Sequence, residues 1–110
     1  MFSRELKKGS TELLIMALLE TRPRHGYELG KLIETRSGGR LQFRIGSLYP
    51  ILCRLESQTL IVGRWVEKPG ERRRRYYRLT AKGRAALARQ RNAWEDFTGA
   101  VNQILGGEHA

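Results

Sequence analysis

Residues 46–80, GSLYPILCRLESQTLIVGRWVEKPGERRRRYYRLT, decide the fold of this chain. The segment is predicted to form a helix over Gly46–Gln58, a strand over Leu60–Lys68, a turn at Pro69-Gly70 and a strand over Arg73–Leu79. A short helix with one apolar face, followed by a hairpin that carries four arginines, can fill a DNA major groove and contact the neighbouring phosphates. The pattern therefore indicates a winged helix-turn-helix.

The predicted third helix has two unlike faces. At about 100° per residue, Leu48, Ile51, Leu52 and Leu55 lie together, and Gly46, Pro50, Cys53 and Ser57 lie opposite. Proline is tolerated in the first turn of a helix, where its missing N–H has no partner, so the helix is predicted to begin near Gly46. The N-terminal end of such a helix meets base edges in helix-turn-helix proteins. We expect DNA contacts from four residues of this helix: Ser47, Tyr49, Pro50 and Arg54.

Six further residues complete the predicted DNA-binding set. Tyr27 and Lys31 lie on a second helix predicted over Gly26–Arg36, and Arg72, Arg73, Arg74 and Arg75 lie on the hairpin. Alternation along a strand means that the four arginines cannot all face DNA equally. Packing is the open alternative for Tyr27 and Tyr49, and a solvated hairpin tip is the alternative for the arginines.

The charge of the chain favours a polyanionic partner. Its 110 residues, enough for one domain, include 21 Lys and Arg against 11 Asp and Glu, and the net charge is +10. Residues 40–80 hold ten Lys and Arg but only three Glu, so most of the excess lies in the predicted DNA-reading segment. Double-stranded DNA is the expected partner, because basic side chains release its counterions.

Several classes of function are excluded by composition. Cys53 is the only cysteine and the two histidines are far apart, so we expect no disulfide, no metal site and no cofactor. Asp96 is the only aspartate and no Gly-rich phosphate loop is present, which indicates that the protein is not an enzyme. The apolar run 13–19 is too short to span a bilayer and lacks a signal-peptide cleavage pattern, so we expect no membrane association and a cytoplasmic location. Cys53 is either a small groove-facing residue or a thiol whose oxidation blocks DNA binding.

The first and last predicted helices point to a second copy of the chain. A helix over Ser10–Thr21 is apolar all round, so it is buried on two sides, either by another subunit or within a central core. The last helix, Ala81–Leu105 with Thr80 as N-cap, carries a heptad seam and is about 37 Å long, more than a small body can cover. The predicted dimerisation residues are Leu14, Leu18, Leu87, Trp94, Phe97, Val101 and Ile104.

The remaining connection and the fold class follow from these elements. Residues Arg40–Ile45 alternate in polarity, which predicts a short strand or an extended turn before the third helix. The chain is predicted to be mainly α with a small β-hairpin. A winged helix-turn-helix occupies residues 1–80 and a dimerisation helix occupies 81–110, and the two form one compact unit.

An ordered set of short motifs resembles the PadR-like family of bacterial transcriptional regulators, in its short form with a single C-terminal helix. The set comprises KGS at 8–10, HGYEL at 25–29, GSLYP at 46–50 with Leu52, Arg54, Leu55 and Glu56, then Leu60-Ile61, Trp65, the segment 73–80 and Gly83. One position departs from the pattern, because Thr59 stands where family members commonly have glycine before the Leu-Ile pair. A β-branched residue disfavours positive φ, so we expect the end of the third helix to be shaped differently.

The resemblance implies a winged-helix homodimer that acts as a repressor, with the third helix in the major groove and the wing at the minor groove. It also implies that the space between the two C-terminal helices and the DNA-binding bodies admits flat apolar compounds. Trp94 is therefore either an interface anchor or the wall of a site for a small apolar or aromatic effector. Our hypothesis is a sequence-specific repressor on a palindromic operator, released by a small planar ligand at the dimer seam. A basic winged helix that binds RNA or DNA with low specificity is the alternative.

Overall fold

The structure, a computed structural model, describes residues 10–106. Within residues 10–106, four helices and three strands follow one another. Their order is α1 (Thr11–Leu18), β1 (Arg24–His25), α2 (Gly26–Arg36), α3 (Ile45–Ser57), β2 (Ile61–Val66), β3 (Arg74–Leu79) and α4 (Ala81–Leu105). The strands form one antiparallel sheet in the order β1-β3-β2. The predicted fold class, mainly helical with a small hairpin, is confirmed.

The core lies between the helices and one face of this sheet. The predicted apolar face of α3 is confirmed, since Leu48, Leu52 and Leu55 have no exposed surface. Along β3, Tyr77 and Leu79 point inward, as alternation predicts, and are almost fully buried. The buried apolar side chains are Ile15, Met16, Leu18, Leu19, Leu29, Ile33, Leu48, Leu52, Leu55, Leu60, Ile61, Tyr77, Leu79, Ala86 and Leu87.

Two local features correct part of the prediction. Of the two alternatives for Arg40–Ile45, the short strand is wrong: residues 40–44 form a loop, and Leu41 and Phe43 alternate because they pack against the core from it. The loop is held by the Ser37 hydroxyl, which accepts a hydrogen bond from the Leu41 amide at 2.9 Å. Pro50 lies in the second turn of α3 and not in the first, because the helix begins at Ile45. The carbonyl of Gly46 therefore lacks its usual amide partner four residues ahead.

A third strand, β1, was not predicted from the sequence. It consists of only two residues, paired with Tyr77 and Tyr76 of β3. Arg24 in this strand is buried, and its Nε donates to the Leu18 carbonyl at 2.7 Å while its Nη1 contacts Glu28 at 2.9 Å. A buried cation is tolerated only when it is paired in this way. Arg24 thus connects the end of α1 to the start of α2.

The junction between α3 and the wing keeps a glycine-like geometry without glycine. Thr59 has φ 59°, and the amides of Thr59 and Leu60 donate to Glu56 and Leu55, both at 3.0 Å. These are the two hydrogen bonds of a Schellman motif. The prediction that this helix end is shaped differently is therefore wrong, because Thr59 is held in the left-handed conformation that glycine usually adopts.

The first turns of α4 close against this junction. The Thr80 hydroxyl caps the helix by accepting from the Gly83 amide at 2.9 Å, which confirms the predicted N-cap. A Cβ atom at residue 83 would lie 2.0 Å from the Leu60 carbonyl oxygen, so only glycine fits. Gly83 therefore allows α4 to contact the start of β2.

Beyond its first turns, α4 leaves the body. The last ion pair between α4 and the rest of the described chain joins Arg91 to Glu20 at 3.0 Å, and this contact lowers the pKa of Glu20. The radius of gyration is 16.0 Å, against about 13 Å for a compact domain of this length, and the longest dimension is 63 Å. Among residues 10–106, no helix has both the length and the apolar character needed to cross a bilayer.

Candidate nucleic-acid interface

The N-terminal end of α3 is exposed and favours an anion. Tyr49 and Ile45 are about half exposed, and Ser47 and Pro50 are exposed beside them. The N-cap residue is Arg44, and the first turn contains no acidic residue. The positive end of the helix dipole therefore meets no acidic side chain from its own first turn, an arrangement suited to a phosphate group.

A concave surface joins this helix end to α2 and to the wing. It encloses about 190 Å³. The predicted residues that it brings together are Tyr27, Tyr49, Arg73, Arg74 and Arg75. Lys31 lies in a neighbouring hollow between α2 and the loop before α3, together with Arg44. Five of the ten predicted DNA-binding residues thus line a single surface.

The four arginines have four different environments. Arg72 is exposed and forms no ion pair within residues 10–106. Arg73 stacks on the ring of Trp65, with its guanidinium carbon 4.5 Å from the ring centroid. Arg74 reaches the ring of Tyr27 at 5.9 Å. Arg75 points towards the body of the domain. The four arginines therefore do not all face the same way, as the alternation along the strand predicts.

Arg75 is a structural cation. Its Nη2 atom donates to Glu56 Oε2 at 2.5 Å, and both side chains are more than two-thirds buried. The same carboxylate oxygen accepts the Gly63 amide at 3.2 Å. The hydrogen bond to Glu56 is the main cause that raises the pKa of Arg75. Glu56 therefore attaches both strands of the wing to the end of α3.

His25 links α2 to the wing from the other side. Its Nδ1 accepts the Glu28 amide at 3.2 Å and caps α2. Arg74 Nη1 lies 3.1 Å from the Nε2 atom of His25, and the ring packs edge-on against Tyr76 with centroids 5.2 Å apart. Burial, followed by repulsion from Arg74, lowers the pKa of His25. The neutral imidazole suits these neighbours.

Arg54 lies on the exposed flank of α3 but already has a partner. Its guanidinium forms an ion pair with Glu12 of α1, with Nε 2.7 Å from Oε1, and its side chain is still half exposed. The Ser57 hydroxyl donates to the Arg54 carbonyl at 2.8 Å and does not contact its guanidinium. Arg54 therefore reaches an external anion only in competition with Glu12.

Tyr49 and Cys53 are neighbours one turn apart on the exposed side of α3. A hydrogen bond with Cys53 is the main cause that raises the pKa of Tyr49. Cys53 is exposed and forms no disulfide. No group of three or more His, Cys, Asp or Glu side chains that could hold a metal ion occurs within residues 10–106.

The predicted dimerisation residues fall into two groups. Leu87 and Leu18 are buried inside one chain, with 1% and 8% exposure, and leave almost no surface for a second copy, contrary to the expectation for them. Leu14 is half-buried and borders an apolar hollow between α1 and α2. Farther along α4, Trp94, Phe97 and Ile104 are 46%, 62% and 79% exposed, and Val101 is half-buried. Trp94 and Phe97 are in ring contact at 6.4 Å.

Sequence analysis assigned no role to three residues of this surface. Trp65 is the platform for Arg73, Glu56 anchors Arg75, and Ile45 is half exposed at the start of α3. The signal for Trp65 was present, since it stands directly opposite Arg75 when the two strands are paired in register. Glu56 and Arg75 are 19 residues apart, and no local pattern joins them.

Comparison with known proteins identifies relatives along nearly the whole chain. A model of the transcriptional regulator PadR-like family matches residues 15–89. A transcriptional regulator of Mycobacterium tuberculosis is 36% identical over 107 residues, which cover 96% of this chain and 92% of that protein. The crystal structure of a PadR-like transcriptional regulator from Bacillus cereus aligns with a TM-score of 0.82 at 29% identity, over 94% of this chain and 99% of that one. A transcriptional regulator from Clostridium thermocellum aligns with a TM-score of 0.84 at 26% identity, over 94% and 97%.

Proposed function

Because the chain belongs to the PadR-like family of transcriptional regulators, and is a DNA-binding regulator and not an enzyme, we propose that it is a homodimeric repressor of a palindromic operator. In this proposal the two copies of α3 enter successive major grooves about 34 Å apart. The protein acts on the chromosome in the bacterial cytoplasm. A small planar ligand bound at the dimer seam releases it from DNA.

The observation that carries the proposal is the concave surface between α2, α3 and the wing. It combines an anion-favouring helix end, two exposed tyrosines and the arginines of the wing. Arg72, Arg73 and Arg74 supply affinity through phosphates, whereas Ser47, Tyr49, Pro50 and Arg54 of α3 meet base edges. Arg75 contributes indirectly, because it holds the wing in place.

Dimerisation is supported by the exposed apolar surface of α4. Trp94, Phe97 and Ile104 project from a helix segment that the rest of one chain does not cover. Burying such side chains is worth about 2 kcal/mol each, so a second copy of α4 is the simplest cover. The expected result of Phe97→Asp is a monomer in analytical ultracentrifugation, with Glu95→Asp as a control on the same helix. A dimeric Phe97→Asp variant would exclude this seam.

Selection of bound duplexes from a random pool, at a stated salt concentration, tests the DNA-reading proposal. We expect a two-fold symmetric motif with half-sites one helical turn apart. The Ser47→Ala variant is then expected to lose preference at defined positions, whereas Arg72→Gln weakens all duplexes alike and lowers the salt slope by about 0.9. Recovery of no motif would favour the alternative, a low-specificity nucleic-acid-binding protein.

The effector site is tested by fluorescence of Trp94 in a Trp65→Phe background. Planar apolar compounds are expected to quench the fluorescence of Trp94 and to lower the affinity of the protein for its operator. At saturation, this loss equals the ratio of the compound's affinity for the free protein to its affinity for the DNA-bound protein. The control is Trp94→Leu, in which the same compounds should leave operator affinity unchanged. A compound that releases both proteins equally would contradict a site at Trp94.

A further inference from the structure

A second and larger hollow lies on the other face of the wing. Its volume is about 480 Å³, within the range of small-molecule sites and more than twice that of the concave surface. The apolar side chains that line it are Pro23, Val62, Val66 and the ring of Tyr76. Alternation along the strands places these residues of β2 and β3 opposite the buried side chains of Ile61 and Tyr77. The hollow therefore faces away from the core.

Three cations surround this apolar floor. They are Arg64, Lys68 and Arg78, and no acidic residue lines the hollow. Strand pairing sets Arg64 opposite Tyr76 and Arg78 opposite Val62, so both guanidinium groups project from the same face of the sheet as the apolar floor. The Lys68 ammonium lies 5.6 Å from the centroid of the Tyr76 ring. Most of the apolar floor and both arginines of the rim thus come from β2 and β3, and Pro23 and Lys68 complete the hollow from outside these strands.

These cations lack internal counter-ions. Neither Arg64 nor Arg78 forms an ion pair within residues 10–106. Glu71 borders an adjoining hollow of about 10 Å³, which shares Val66, Lys68 and Tyr76 with this one but not Arg64 or Arg78. Like charges on one face of a two-stranded sheet repel each other, and an anion between them would remove that repulsion. Three other arginines of the wing already have partners: Arg73 stacks on Trp65, Arg74 contacts His25, and Arg75 pairs with Glu56.

We propose that this hollow binds a small apolar carboxylate. The carboxylate would pair with Arg64 and Arg78, because guanidinium groups match its planar geometry, and the apolar body would cover Val62, Val66 and the Tyr76 ring. A DNA phosphate carries the charge but has no apolar body for this floor, and a neutral compound leaves the guanidinium groups unpaired. The site lies on the hairpin and does not involve Trp94 or the seam of α4.

Titration with 2-naphthoate, followed by NMR of the methyl groups, tests this assignment. We expect the resonances of Val62 and Val66 to shift, and 2-naphthamide to bind at least tenfold more weakly because it lacks the charge. Arg64→Gln and Arg78→Gln should each weaken 2-naphthoate at least fivefold. The matched control is Arg89→Gln, which removes an equal charge from an exposed position on α4 and should leave binding unchanged.

Three results would overturn the site. The first is that 2-naphthoate shifts only NMR resonances of α4 residues such as Trp94 and Phe97. The second is that 2-naphthoate and 2-naphthamide bind with equal affinity. The third is that Arg64→Gln and Arg89→Gln weaken the binding of 2-naphthoate equally. The titration needs no DNA and no assumption about the operator. Its failure would therefore leave the proposed function intact, and loss of the operator motif would leave this site intact.

Discussion

Arg75 of the wing and Glu56 of α3 form a partly buried ion pair, with Nη2 and Oε2 2.5 Å apart. The guanidinium reaches Glu56 across Gly63, where a Cβ atom would lie 2.5 Å from Arg75 Nε. One of the four arginines predicted to bind DNA is therefore the residue that fixes the hairpin to the reading helix.

Removing the Glu56 charge should destabilise the fold. In Glu56→Gln the guanidinium of Arg75 loses its charged partner while still partly buried, and the free energy of unfolding should fall by about 1 kcal/mol. Urea denaturation measures this change. Glu67→Gln removes the same charge from an exposed position on the hairpin, and equal losses in the two variants would mean that the pair has no structural role.

Freeing Arg54 should strengthen DNA binding. In Glu12→Gln the guanidinium no longer competes with an internal carboxylate, so operator affinity at low salt should rise about fivefold and the salt slope should steepen by about 0.9. Fluorescence anisotropy with a labelled duplex measures both quantities. Glu95→Gln controls for net charge, and the gain should disappear in Glu12→Gln/Arg54→Gln. A gain that survives in the double variant would exclude Arg54 as its source.

Two glycines of α4 should respond to alanine in opposite directions. Gly83→Ala should destabilise the fold by about 3 kcal/mol, because the new methyl group would overlap the backbone of Leu60. Gly99→Ala should stabilise it by up to about 1 kcal/mol, because nothing lies within 4 Å and alanine is the better helix former. Thermal and urea unfolding compare the two directly. Similar effects at both positions would contradict the close contact between α4 and β2.

Thr59→Gly should stabilise the protein by about 0.5–1 kcal/mol. Threonine at φ 59° is strained, whereas glycine adopts this conformation without a clash. Part of the gain is offset because the glycine variant loses more backbone entropy on folding. Thr59→Ala serves as the control, because it removes the hydroxyl and keeps most of the strain. If both variants lost stability equally, the hydrogen bond from the Thr59 hydroxyl to Gln58 would matter more than the strain.

The stability of the fold should fall through His25 as the pH drops below its ordinary pKa of about 6.5. Its pKa in the folded protein is lowered, mainly by burial, whereas the unfolded chain has the ordinary value of about 6.5. The unfolded state therefore binds the proton more tightly, so the contribution of His25 is complete above about pH 6.5 and is lost as the pH falls through the lower folded value. His25→Asn keeps a capping acceptor but does not titrate, and its unfolding free energy should depend less on pH. Parallel pH profiles would contradict this role.

Much of the fold was predictable because its signals are local. The apolar face of α3, the caps at His25 and Thr80, and the inward side chains of β3 all follow from spacings of a few residues. The strand β1 was missed because two residues contain no periodicity, and its existence depends on an edge offered by β3. The start of α3 was placed one residue late, because Pro50 was assumed to need the first turn.

The sequence predicts which kinds of residue form the DNA-facing surface, but not which of them contact DNA and which hold the fold together. Sequence alone determined that the chain is a basic winged helix, because periodicity and charge are properties of neighbouring residues. Only the tertiary structure decided that Arg75 turns to Glu56, that Glu12 holds Arg54, and that Leu87 belongs to the core of one chain. Each of these contacts joins residues far apart in the chain, and the packing of α1, α4 and the wing around α3 brings them together.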